Sequence, residues 1–359
     1  MNDAASTPLS PIGRRSGRVR DGTVTLAHGS GGKAMRDLVD DVFVAAFDNP
    51  ALAPLEDQAR FALADLARDG DRLAFTTDSY VVDPLFFPGG DIGELAVNGT
   101  VNDLAVSGAR PRFLSCAVIL EEGFPVADLR RIAASMQRAA AAAGVAIVTG
   151  DTKVVPRGGA DKLFLTTSGV GVIPAGVQIA ATRARPGDRV LVNGCIGDHG
   201  VAILAARDDL ALEVPVTSDT RPLNGLIDAL REACPDVHCL RDATRGGLAT
   251  VLNEFARAAG IGVHLDEAAL PVRETVKGVS EILGLDPLYY ANEGLLAAVV
   301  PPDRAEAALA AMRAHPAGRD AALIGEIDSA PAGRVILHTG FGGGRIVDML
   351  VGEQLPRIC

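Results

Sequence analysis

The chain has 359 residues, 48% of them apolar, which suffices for sizeable cores and, at about 150 residues per domain, for two of them. Lys and Arg number 34 against 45 Asp and Glu, a net charge of −11, which excludes an overall basic footprint for nucleic acid. Trp is absent and aromatics make up 4%, so the cores must be built from Ala, Val, Leu and Ile.

Residues 1–20, rich in Ser, Pro, Gly and Arg, read as a disordered extension. Arg14-Arg15 does not open a twin-arginine signal, because Asp21-Gly22 and His28-Gly29-Ser30-Gly31-Gly32 stand where an apolar core is needed. The loop from Gly29 to Lys33 precedes a helical run and reads either as a phosphate lid or as a plain entry loop. It is not a Walker A loop: Ala27 occupies the first glycine position and Ala34 follows Lys33. Strands are predicted at 73–82, 112–120, 145–149 and 163–173, and helices at 92–107 and 126–143, the latter closed by Gly144. The most apolar helical stretch, 127–148, is interrupted by Arg130, Arg131, Gln137 and Arg138, so no bilayer-spanning segment is expected. A polar, turn-rich passage near 174–187 marks a domain boundary. Beyond it, helices are expected at 198–207, 219–233, 246–259 and 303–314, with strands at 189–193, 261–265, 294–300, 322–327 and 334–338. The alternation predicts an α/β (α+β) chain: an N-terminal domain at 21–175, a C-terminal domain at 185–345 and a flexible tail at 346–359. Five cysteines, odd in number and scattered, favour a reducing, cytoplasmic setting.

Several acids sit beside small residues where strands end or helices begin. Asp78 lies in Thr-Thr-Asp-Ser, Asn102-Asp103 in a helical pattern, Asp151 after Gly150, and Asp242 in Arg-Asp-Ala-Thr-Arg-Gly-Gly. Each alone reads equally as a turn acid or helix cap. Together they fit Mg²⁺, which takes oxygen ligands and keeps substrate phosphates among them. Cys234-Pro-Asp-Val-His238-Cys239 reads as a partial metal motif or as ordinary thiols, and Cys116 and Cys195 as packing residues. Glu293, in Asn-Glu-Gly before an apolar run, is a candidate base or a turn glutamate. Cys359 is the last residue. It is not a prenylation box, whose Cys stands fourth from the end, and it reads as a chance terminal thiol or as the tip of a swinging arm.

Taken together, TTDSYVVDPLFFPGGDIGELAVNGTVNDLAVSGARP, GDTKVV, RDATRGGLATVLNE, ANEG and the terminal PRIC resemble the HypE family of hydrogenase maturation factors, carbamoyl dehydratases. That family lies within the superfamily of aminoimidazole ribonucleotide synthetase and selenophosphate synthetase. The resemblance runs from about Thr25 to Cys359. It implies an N-terminal domain that pairs across a homodimer into a β-barrel, a C-terminal α/β domain, and ATP in the cleft near the dimer interface. It implies that Cys359 receives a carbamoyl group from a carbamoyltransferase, HypF. ATP with Mg²⁺ then drives its dehydration to an S-cyanate, and the cyano group passes to a HypC–HypD complex for the NiFe centre. No nucleic-acid or membrane partner is expected.

By the same resemblance Asp78, Asp103 and Asp151 hold Mg²⁺ and nucleotide phosphates. Asn102, Gly150, Gly31 and Gly32 bind the nucleotide, Lys153 binds phosphate or orients the carbamoyl group, and Glu293 is the base. Asp242 is a weaker candidate. The physical logic is general: an amide oxygen must be made a leaving group by phosphorylation, and a base must take the nitrogen proton as phosphate departs. The alternatives are a related ATP-dependent enzyme acting on a free small molecule, or a tail-docking scaffold with a regulatory ATP site. No Cys stands beside the glycine loop at His28–Gly32, which argues against a selenophosphate synthetase.

Overall fold

The computed structural model describes residues 17–207, 214–352 and 357–359. The expected extension at 1–20 lies largely outside them, but its end is fixed: the Val19 amide donates to Asp41 and its side chain packs on the first core. Helix α1 (Lys33–Leu38) runs through a π-helical stretch, Val39–Val44, into α2 (Ala45–Phe47), and a short α3 (Leu63–Leu66) follows. A four-stranded sheet is built from β1 (Arg72–Tyr80), β4 (Arg110–Glu121), β5 (Ala146–Val155) and β6 (Leu163–Ile173), and a small hairpin from β2 (Phe86–Phe87) and β3 (Gly90–Asp91). The order is β1-β6-β4-β5, antiparallel except for β4 beside β5.

Two helices, α4 (Ile92–Val106) and α5 (Val126–Ala143), accompany this sheet, with α4 packed directly on β1, β4 and β6. Asp91 caps α4, accepting from the amides of Gly93 and Glu94 at 2.8 and 3.1 Å. Gly144 closes α5 at φ +71°, a left-handed turn that glycine adopts freely. Helix α4 is buried almost all round, because the sheet covers one side and the second domain the other. The opposite face of the sheet is uncovered, and Leu73, Phe75 and Ile119 lie exposed on it.

The second domain carries a seven-stranded sheet in the order β13-β12-β9-β11-β7-β10-β8. Its strands are β7 (Arg189–Val192), β8 (Cys239–Asp242), β9 (Gly262–Asp266), β10 (Leu296–Val300), β11 (Ala322–Asp328), β12 (Arg334–His338) and β13 (Gly344–Val347). Strand β10, between β7 and the edge strand β8, is buried at every position, so it must be covered on both faces. Helix α8 (Gly247–Ala259) packs on one face, and α7 (Asn224–Ala233) with α10 (Ala305–Ala314) on the other. The remaining helices, α6 (Asp198–Ala205) and α9 (Glu274–Leu283), send Val201, Ile203 and Val276 into the core of the first domain. One apolar core therefore crosses the domain junction. No helix among the described residues is long and apolar enough to cross a membrane.

Three expectations change. The strand expected at 145–149 runs on to Val155, so Asp151 and Lys153 stand inside β5 rather than beyond its end. The helix expected from 219 starts at Asn224, because Asp219 and Thr220 are held in a buried loop. Strands β2, β3, β8 and β13 and helices α3 and α9 went unpredicted: all but α9 are four residues or shorter, α9 was hidden in a weakly apolar stretch, and β13 takes Ile346 and Val347 out of the tail expected at 346–359 and into the second sheet.

Candidate functional site

The C-terminal residues are docked at the junction of the two domains. The Val81 amide donates to a terminal carboxylate oxygen of Cys359 at 3.0 Å, and the Asp83 amide to the Arg357 carbonyl oxygen at 3.2 Å. Arg207 adds a second donor to the Arg357 carbonyl at 2.9 Å. The Arg357 guanidinium donates to the Val81 carbonyl and pairs with Asp161. Ile358 is 4% exposed and belongs to the first core. The rest of the expected tail is described up to Gly352, and 353–356 lie outside the described residues.

Docking places the Cys359 thiol against Arg245, whose Nη2 is 2.9 Å from Sγ. Arg245 was not singled out in the sequence, though it stands in the quoted motif three residues after Asp242. Its placement is local. Strand β8 ends at Asp242, and Gly246 (φ +79°) and Gly247 (φ +62°) then turn the chain into α8. A side chain at Gly247 would also strike the backbone carbonyls of Leu288 and Tyr290. Asn292 ties the next segment down, donating to the Ala243 carbonyl at 2.9 Å and accepting from the Gly197 amide at 2.7 Å. Asp219 then accepts from the amides of Glu293 and Gly294 at 2.9 and 3.0 Å. Glu293 is thereby aimed inward, 3% exposed, with Oε1 buried and unpartnered.

The charges around the thiol set its protonation. Burial pushes the Cys359 thiol up to about 12; Glu293 and Asp78 add to this, and Arg245 opposes it. Burial also holds the Glu293 carboxyl well above the usual range, aided by Asp219, Asp242 and Asp78. Asp242 is raised to about 7 by burial and by Asp103. Asp103 accepts from Thr76 at 2.9 Å, yet it too is raised, by burial and by Asp78. Asp78, Asp103, Asp242, Glu293 and Cys359 thus form one chain of mutually repelling acidic groups, opposed by Arg245 at the thiol and by Arg241 at Asp103 and Asp242.

A second set of expected residues lies elsewhere. Gly31, Gly32, Lys33, Gly150 and Asp151 line a cavity of about 620 Å³ whose wall includes Met35, Val39, Phe43, Phe47 and Ile147. An apolar recess with glycines and polar groups at its mouth has the size and character of a small-ligand site. Lys153 pairs with Asp151 at 2.7 Å. Register separates this set from the thiol. Ser79 pairs with Thr166, Thr166 with Ala117, and Ala117 with Asp151, so Asp78 and Asp151 lie at one level but three strands apart, roughly 14 Å. Residues paired side by side share a face. Asp151 and Lys153 therefore belong to the uncovered face with Ala117 and Ile119, and Asp78 to the face covered by α4.

Asn102 is buried, and its amide is engaged with the Arg221 carbonyl at 3.1 Å and the Leu223 amide at 2.7 Å, which makes it a strut between the domains. His238 pairs with Asp188 at 2.7 Å, and Cys239 faces the Ala180 carbonyl. Among the described residues no three His, Cys, Asp or Glu are arranged to hold a metal ion. Nucleotide-bound Mg²⁺ needs only one or two carboxylates besides phosphate oxygens, and Asp78 with Asp103 fits that requirement.

Fold and sequence define the class. The chain matches the AIR synthase related protein models, the N-terminal domain over residues 56–173 and the C-terminal domain over 185–338. It is 61% identical over 341 residues to carbamoyl dehydratase HypE of Rhodobacter capsulatus, covering 95% of this chain and 99% of that one. A crystal structure of the hydrogenase maturation protein HypE in complex with ATP superposes with a TM-score of 0.89 at 52% identity, covering 94% of this chain and all (100%) of that one. A HypE–HypF complex gives 0.75 at 48%, covering 86% and 98%. The chain belongs to the HypE family of carbamoyl dehydratases.

Proposed function

We propose that this enzyme dehydrates an S-carbamoyl group on its own Cys359 to an S-cyanate at the expense of ATP, supplying cyanide ligands for hydrogenase maturation. The observation that carries the reading is the terminal thiol docked on Arg245 beside the buried carboxyl of Glu293. Burial raises the docked thiol to about 12, which strongly disfavours the thiolate that would attack a carbamoyl donor. Carbamoylation therefore belongs to the undocked tail, at a carbamoyltransferase such as the HypF seen bound to a relative. Dehydration belongs to the docked tail. The carbamoyl oxygen attacks the γ-phosphorus of ATP, ADP leaves, and the nitrogen gives up the first of its two protons to solvent, leaving an O-phosphorylated imidate with one N–H. Glu293 then removes the second nitrogen proton as phosphate leaves, forming the C≡N triple bond. Arg245, beside the sulfur, counters the charge developing there. Asp78 and Asp103 would hold Mg²⁺, which neutralises the phosphates. An undocked S-cyanate is then free for transfer to a HypC–HypD complex.

The same reading makes the enzyme a homodimer. The glycine loop stands at the β5 edge of the sheet, Asp151 and Lys153 lie on its uncovered face, and Leu73, Phe75 and Ile119 offer apolar surface there. Two such faces packed together form a closed barrel. They bring Lys153 and the nucleotide cavity of one copy toward the docked thiol of the other.

Intact-protein mass spectrometry with the carbamoyltransferase, carbamoyl phosphate and ATP-Mg²⁺ tests the chemistry. The expected result is a carbamoyl adduct on Cys359 that loses one water only when ATP is present. An unmodified Cys359 beside an active transferase overturns the reading in favour of a free substrate or a scaffold.

A further inference from the structure

One buried side chain at the junction has no part in the chemistry above. His199, in the first turn of α6, is 0% exposed. Its Nε2 lies 2.6 Å from the Ile358 carbonyl oxygen and its Nδ1 2.8 Å from Ser218 Oγ. Phe87 meets the ring edge-on at 5.6 Å and 86°, which fixes its plane. A carbonyl oxygen only accepts, so Nε2 carries the proton. Burial drops the imidazole to about 4, so the ring is neutral and Nδ1 must accept from the Ser218 hydroxyl. Ser218 Oγ in turn accepts from the Thr220 amide at 3.1 Å, and the Ser218 amide is pinned to the Pro88 carbonyl at 2.8 Å. The next residue is Asp219, whose carboxylate holds the amides of Glu293 and Gly294. Every donor and acceptor in this line has one consistent assignment.

We propose that His199 is a positioning residue that seats the C-terminal tail and, through Ser218 and Asp219, ties the seated tail to the segment that carries Glu293. The Cys359 carboxylate is held by the Val81 amide, and the Arg357 carbonyl by the Asp83 amide and Arg207. The Ile358 carbonyl alone is held by a side chain whose other ring nitrogen bonds the Ser218–Asp219 loop. When the tail leaves, the Nε2–H is stripped of its acceptor in a buried site, which is costly, so His199 favours the seated state. The base and the thiol it serves are then positioned together, and only while the tail is in place. This rests on the reading of Cys359 as the reacting group. The seat itself can be measured without that chemistry.

The test is the alkylation rate of Cys359 by iodoacetamide, read on the C-terminal peptide of the full chain with no ATP or carbamoyl donor. Losing a buried hydrogen bond unseats the tail, so His199→Ala should alkylate on the order of tenfold faster. His199→Gln, which keeps a donor, should recover most of the protection. With the full system, His199→Ala should accept a carbamoyl group at least as fast as wild type but lose water from it more slowly. A general loss of structure would slow both steps. If His199→Ala does not fold, Ser218→Ala replaces it. Without the Ser218 donor the ring is free to move its proton to Nδ1, and alkylation should rise severalfold. A folded His199→Ala or Ser218→Ala chain with wild-type alkylation overturns the proposal. Faster alkylation with no carbamoylation in any variant keeps the seat and removes the reaction from it.

Discussion

Glu293 and Asp242 show what burial does to a carboxyl. As the proposed base, Glu293 would have to be ionised, and its pKa is held well above 4.5 by burial and by neighbouring acids. The rate of dehydration should therefore fall as pH drops through a value above the usual carboxylate range. Glu293→Gln should remove that limb and cost about 10²–10⁴-fold in rate, measured on protein already carbamoylated at Cys359. Asp242 binds its proton more tightly folded than unfolded, at about 7 against the ordinary aspartate value of 3.8. Stability due to that group is fully present below the ordinary carboxylate value, lost as pH rises to about 7, and unchanged above it. Asp242→Asn should then raise the melting temperature more at pH 8 than at pH 5. An equal gain at both would show that the carboxyl is not buried with the others. At this scale the sequence named most of the residue types. Glu293, Asp78, Asp103 and Cys359 were legible because they stand in distinctive local motifs. Arg245 was visible in one of them, but its target, a thiol 114 positions away, was not. His199 carried no local signal at all.

Helix α4 is the element on which the site hangs. It presents Asp103 to Thr76 and Asp78 on one side and uses Asn98 and Asn102, one turn apart, to hold the 220–223 loop on the other. It lies close to β1 at Gly99, where a Cβ would strike the Tyr80 hydroxyl and ring. Tyr80 is 1% exposed and two residues from Asp78. Gly99→Ala should cost about 1–3 kcal/mol by overpacking and weaken ATP binding with it. Thermal melts and a nucleotide titration would show both, and adding Tyr80→Phe, which removes the colliding oxygen, should restore part of each. No recovery would place the cause elsewhere. The helix was readable from its apolar spacing. The extension of β5 to Val155 was not, because Gly150, Asp151 and Thr152 read as a turn until β4 supplies their hydrogen-bonding partners.

For the molecule as a whole, Asp78 lies on the face of the first sheet covered by α4, whereas Asp151 and Lys153 stand on the other face, three strands away. If two copies complete each other, a Lys153→Ala chain and a Cys359→Ala chain, each inactive, should recover about a quarter of wild-type activity when mixed and reassociated. Half the dimers are then hybrids, each with one intact site. No recovery in a mixture shown to exchange subunits would place both halves within one chain. Sedimentation of a Phe75→Asp variant supplies the companion measurement, with a shift toward monomer expected.

The sequence by itself determined the alternation of helix and strand, the residue types able to bind phosphate and metal, and the unusual terminal cysteine. These are local properties, written in spacing and in short motifs. Only the tertiary structure decided which of these residues meet. It set Asp78 and Asp151 on opposite faces through strand register, and it carried Cys359 to Arg245 by docking the chain end into the junction. It also fixed which groups hold their protons, because a pKa depends on burial and on charges brought near by folding, and neither is encoded in neighbouring positions of the chain.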